Sequence, residues 1–164
     1  MKRLGMNLLA AGLLVAGLPV AANAQAPAAP AISPEGMVGP ALYVTDPARS
    51  LKFYTEGLGM KLRMRFGPAD RPDIVVGFGP NPAEAGIMLI TDKSGPIRSI
   101  AHAHGFDRIA LRMPDLAGLA VRLEMLGFKA GEIKLVHGSI RMMMVTDPDG
   151  YRLELIETPG KPAS

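Results

Sequence analysis

Cysteine is absent from the whole 164-residue chain. That excludes disulfides, thiolate nucleophiles, thiolate zinc sites and lipid attachment at an N-terminal cysteine. An oxidising compartment is tolerated, because there is no thiol to pair wrongly. Neither a serine-centred nucleophile elbow nor a glycine-rich phosphate loop occurs. Long apolar runs are also missing. The stretch at 8–22 is broken by Gly12, Gly17 and Pro19 and falls short of the roughly 20 residues that cross a bilayer core.

What is there begins with an export signal. Lys2 and Arg3 precede the short apolar stretch, and Ala22-Asn23-Ala24 gives a small-x-small cleavage pattern before Gln25. Residues 1–24 therefore read as a secretory signal peptide, which places the mature protein outside the cytoplasm, in the periplasm if the host is bacterial. Lys2 and Arg3 are the charges in that segment, so its removal takes the formal charge from +3 to +1. No field remains that would draw nucleic acid or hold an anionic membrane, and no stable membrane insertion is expected after cleavage. Residues 25–36 are rich in Ala and Pro and read as a disordered tether, with a short tail at 159–164.

Between them lies an internal repeat. Tyr43-Val44-Thr45-Asp46-Pro47 leads into Leu51, Tyr54, Leu58 and Gly59. Leu111-Arg112-Met113-Pro114-Asp115 leads into Leu119, Leu123, Leu126 and Gly127. The offset is 69 residues at Asp46/Asp115 and 68 at Gly59/Gly127. Each copy predicts a strand, an Asp-capped amphipathic helix with a leucine stripe, and a glycine stop. Further strands are expected near 60–67, 72–79 and 84–91, then near 128–135, 139–146 and 150–157, with a loop at about 92–104. Asp147-Pro148-Asp149-Gly150 predicts a tight turn in which Gly150 takes a positive φ.

Two segments carry a specific resemblance. Ala41-Leu42-Tyr43-Val44-Thr45-Asp46-Pro47 through Leu58-Gly59-Met60-Lys61-Leu62 resembles the opening of the vicinal oxygen chelate superfamily, which includes glyoxalases, bleomycin-resistance proteins and extradiol dioxygenases. Thr146-Asp147-Pro148-Asp149-Gly150-Tyr151-Arg152-Leu153-Glu154-Leu155 resembles its closing strand, and the likeness covers roughly 38–158. It implies an α+β fold of two βαβββ modules, about 38–91 and 105–158 of a single 37–158 domain. Their mixed sheets form a concave groove, with helices on the outer faces. It also implies a groove built within one chain or across a homodimer, and a divalent metal held by the first and fourth strand of each module. Those ligand positions fall here on Gly39, Met88, Arg108 and Glu154. Glycine has no donor, the Met thioether is soft, and Arg repels a cation; Glu154 alone is a normal ligand.

Strand alternation sorts the groove face independently. It directs Gly39, Ala41 and Tyr43, Met88 and Ile90, Arg108, Ala110 and Arg112, and Arg152, Glu154 and Ile156 toward the groove. The expected ligand-binding set is Tyr43, Met88, Ile90, Arg108, Arg112, Arg152 and Glu154, an apolar surface with a few charged groups. Arg108 and Glu154 occupy neighbouring ligand positions, so either their ion pair replaces the metal or Arg108 grips an anionic substrate. Met142–Met144 fills core and groove space, and Asp147 and Asp149 are turn-formers. Two functions remain open. One is a protein that binds or sequesters a small organic, anionic molecule in the arginine-lined groove without a cofactor, or a metal-independent enzyme using that groove. The other is a metal-dependent lyase, isomerase or dioxygenase drawing ligands from His102, His104 and Glu154.

Overall fold

The computed structural model describes residues 36–81 and 83–157. The expected signal peptide, nearly all of the tether and the tail lie outside the described residues. Eight strands form two four-stranded mixed sheets. Module one contains β1 (Ala41–Val44), α1 (Pro47–Lys52), β2 (Lys61–Phe66), β3 (Asp73–Gly77) and β4 (Gly86–Thr91). Module two contains β5 (Ile109–Arg112), α2 (Leu116–Met125), β6 (Ile133–Val136), β7 (Ile140–Thr146) and β8 (Arg152–Glu157). The strand orders, β1-β4-β3-β2 and β5-β8-β7-β6, are the same arrangement twice. In each sheet the first and fourth strands pair in parallel and the other pairs are antiparallel.

Both helices start where the sequence places them. Asp46 accepts from the amides of Ala48 and Arg49, and Asp115 from that of Gly118, satisfying donors that a helix start leaves open. Gly59 and Gly127 take φ of +79° and +80°. Helix α1 then widens into a π-helical turn over Phe53–Gly57. That turn changes the phase of the leucine stripe. Phe53 joins Tyr54 with no exposed surface, while Leu51 is only partly buried against the core.

Alternation in β1 and β8 puts Leu42, Val44, Leu153 and Leu155 against the helices, and all four are buried. Their neighbours Ala41, Tyr43 and Arg152 are exposed on the other face. The two helical layers also meet, so the modules share one core. Phe53 of module one packs edge-on against Phe128 of module two at 5.1 Å. Phe128 therefore packs, partly buried, against the core rather than lying in a strand. The strand expected near 128–135 shrinks to Ile133–Val136, because the chain must first turn Phe128 inward.

Candidate functional site

Two aspartates of the β7–β8 turn of module two hold module one in place. The Asp147 carboxylate accepts the amides of Asp149 and Tyr151 and the hydroxyl of Tyr54. Asp149 accepts the Thr45 amide, the Thr45 hydroxyl and the Ser50 hydroxyl at 2.8, 2.6 and 2.8 Å. Gly150 takes a φ of +95°, and a side chain there would also meet His102, 2.6 Å from where its Cβ would lie. The two aspartates are turn-formers, as expected, and they also join the modules.

Beside this seam lies a cavity of about 730 Å³. Tyr43 and Ile90 line it from the open face of module one, and Tyr151 reaches it from module two. The connector between β4 and β5 supplies a wall that includes Ile97, Arg98 and Ile100. A second cavity of about 560 Å³ shares Tyr151 and is lined by His102, His104, Phe106, Asp107 and Arg152. Arg112 lies in a third, of about 390 Å³, beside Arg122 and Phe78. The expected site residues are thus distributed. Tyr43 and Ile90 share one cavity, Arg152 and Arg112 lie in two others, and Met88, Arg108 and Glu154 line none of the three.

The former ligand positions have a defined geometry. Arg108 donates from Nε to Glu154 Oε2 at 2.7 Å and also pairs with Asp107. Asp107 in turn accepts from Arg152 at 2.9 Å. The hydrogen bond to Glu154 and the Asp107 charge push the Arg108 guanidinium further above its ordinary range. Gly39 departs from the expectation. A Cβ placed on it would sit 1.7 Å from the Gly86 carbonyl oxygen, so its missing side chain points at backbone rather than into open groove. The cause is local pairing: Val38 and Pro40 accept the amides of Gly86 and Met88, which draws Gly39 flat against the end of β4.

The two histidines do not converge on an ion. His102 Nε2 lies 2.8 Å from the Asp149 carbonyl oxygen, and its ring packs edge-on against Tyr151 at 4.9 Å. A carbonyl can only accept, so Nε2 carries the proton and is closed to a metal. Among the described residues, no three His, Asp or Glu side chains are grouped to hold a metal ion. His137 has a φ of +47° in the β6–β7 turn. Met143 is fully buried, while Met142 and Met144 are partly buried on the other face.

A family model for the Glyoxalase/Bleomycin resistance protein/Dioxygenase superfamily matches residues 36–155. The chain belongs to this superfamily. A lactoylglutathione lyase of Salmonella typhimurium is 38% identical over 122 residues, spanning 71% of this chain and 87% of the relative. A glyoxalase I from Zea mays is 30% identical with a TM-score of 0.67, covering 77% of this chain and 46% of that one. The trypanothione-dependent glyoxalase I of Leishmania major gives 27% identity and a TM-score of 0.63, over 76% and 87%. The glyoxalase-superfamily fold, with its two βαβββ modules, is therefore what the repeat and the strand pattern had indicated.

Sequence reasoning missed the cavity wall. Arg71, Asp92, Lys93, Arg98 and Tyr151 all line the seam cavity. Arg71 lies between β2 and β3, and the others lie in the connector or at the start of β8. Alternation places strand residues and has no hold on loops. A usable signal was present: the connector from 92 to 98 carries one acid and two bases within seven residues, Asp92, Lys93 and Arg98. The structure ties all three down, through Lys93 to Asp73 at 2.6 Å and Arg98 to Asp92 at 2.7 Å.

Proposed function

We propose that this glyoxalase-superfamily chain is an exported protein that binds a small organic anion without a divalent metal, the ion pair of Arg108 and Glu154 taking the metal's place. One observation carries the reading: Glu154, the single ordinary ligand at the four expected positions, is engaged by Arg108 at 2.7 Å. The remaining positions do not fit an ion. Gly39 has neither a donor nor room for one, Met88 offers a soft thioether, and Arg108 brings a fixed positive charge. A working metal site takes about three protein ligands. Export rests on the N-terminal signal pattern.

The open face of module one supports a homodimer. Met64, Val75, Met88 and Ala41 form an apolar row across all four strands, each opposite the next. Met64 and Tyr43 are more than half exposed on that face. A second copy covering it would bury this row.

The relatives named lactoylglutathione lyase favour a second reading, a metal-dependent lyase of the glyoxalase type. Assaying lactoylglutathione turnover with Zn²⁺, Ni²⁺ or Mn²⁺ added separates the two. The binding reading expects no turnover above the metal-only blank. Metal-stimulated turnover that saturates at one ion per chain would establish the lyase.

A further inference from the structure

We infer that the seam cavity is a carboxylate site, with Arg71 as its anion-binding group and Tyr43, Ile97 and Ile100 as its apolar walls. This rests on the reading that the chain binds a small organic anion, and it names both the place and the chemical class. The ligand is a compact monocarboxylate with a flat or branched apolar body.

The cations that line the cavity differ in what they already hold. Lys93 is engaged by Asp73 and Arg98 by Asp92. The Arg98 hydrogen bond and two donors from Ser94 hold the Asp92 carboxyl far below its usual range, so that pair keeps its charge. Arg71 is held differently. Its Nη1 donates to the main-chain carbonyls of Asp92 and Gly95 at 3.2 and 2.7 Å. Among the described residues no carboxylate forms an ion pair with it. Two carbonyls fix the plane of the guanidinium and form no ion pair with it; Asp70, which lines the same cavity, is not bonded to it. The Nε and Nη2 hydrogens form the edge that accepts a carboxylate with two parallel bonds. An arginine fixed beforehand on one side loses little freedom when it takes an anion on the other.

Beside polar groups such as Asp70, Thr45 and Ser99, the lining holds an apolar wall. Ile90, Ile97 and Ile100 lie on the same cavity as the ring of Tyr43. A volume of about 730 Å³ falls in the range of small-molecule sites, which combine apolar walls with a few placed polar groups. Because Tyr151 closes the cavity from module two, the site is complete within one chain. Arg108 is poorly placed for this role, since Glu154 and Asp107 already occupy it.

The test is calorimetric titration of the full chain with benzoate and with benzamide, its uncharged isostere. The wild type should bind benzoate about tenfold or more tighter than benzamide. Arg71→Met should abolish that preference, and Arg71→Lys, which keeps the charge and loses the fork, should retain only part of it. Because Arg71 also tethers the connector, Ile97→Asp provides a second arm. It adds a negative charge to the cavity, leaves the Arg71 bonds in place, and should also erase the preference. Equal binding of the two probes by the wild type, or no benzoate binding at all, would overturn the proposal. So would a preference that survives both Arg71→Met and Ile97→Asp. If it survives these and disappears in Arg108→Met, anion binding by the chain stands and the seam site does not.

Discussion

The Tyr54 hydroxyl donates to Asp147 Oδ2 at 2.8 Å, tying the helical turn of module one to the β7–β8 turn of module two. Both residues are buried, and no buried side-chain polar atom among the described residues lacks a partner. Tyr54→Phe removes the donor and leaves a buried carboxylate with two amides. A hydrogen bond to a charged group contributes about 1.5–3 kcal/mol, so this variant should lose that much stability in urea unfolding. A loss under about 0.5 kcal/mol, the range of a neutral surface change, would contradict a shared clasp.

Two carboxylates, Asp147 and Asp73, should respond to acid with opposite sign. Burial holds the Asp147 carboxyl above its ordinary range, in spite of the Tyr54 hydroxyl and two amides. Burial also opposes ionisation of Asp73, but Lys93 and the Thr91 amide outweigh it and hold that carboxyl below its ordinary range. A lowered folded value contributes stability that is complete above the unfolded value and is lost as pH falls through the folded one. A raised value does the reverse: the native state takes up the proton first, and stability is gained as pH falls through the folded value. Urea unfolding between about pH 7 and about pH 3 should show the deficit of Asp73→Asn narrowing in acid and that of Asp147→Asn widening. Parallel profiles for the two variants would refute the assignment.

Gly39 tests why the usual ligand position is empty of a donor. A methyl group there meets the Gly86 carbonyl at 1.7 Å, at a backbone φ of +129°. Gly39→Ala should cost about 2 kcal/mol or more, since both the clash and the φ penalise it. Rebuilding donors with Gly39→His, Met88→Glu and Arg108→His together should then fail to hold Zn²⁺ through dialysis. Retention of one equivalent by the triple variant would mean that the β1 entry is free to move.

The architecture was largely legible from residues 41 onward. Asp46 and Asp115, thirteen residues before Gly59 and twelve before Gly127, mark two helices, and alternation in Leu42, Val44, Leu153 and Leu155 marks the faces. The nearness of Arg108 to Glu154 was legible from the resemblance, which puts both at ligand positions: Arg108 immediately precedes the edge strand β5, whose Ala110 stands opposite Glu154 of β8. Gly39 was not. Its direction depends on which carbonyl the incoming chain meets, and Gly86 is 47 residues away in sequence. Nor was the cavity wall, because Arg71 and Arg98 sit on segments without a period. Phe53 went unnoticed because a π turn breaks the helical spacing that would have placed it inside.

The homodimer has its own test. Light scattering at about 100 μM should give twice the chain mass, and Met64→Glu, which charges the apolar row, should return a monomer. A wild-type mass of one chain at that concentration would rule out a stable pair through this face.

Whether an ion pair stands where the superfamily has a metal is decided by metal analysis of the chain purified without a histidine tag. The pairing of Arg108 with Glu154 predicts less than about a tenth of an equivalent of any divalent ion, with no gain when Zn²⁺, Ni²⁺ or Mn²⁺ is added and dialysed away. Close to one equivalent, retained by the wild type and lost in Glu154→Gln, would contradict it.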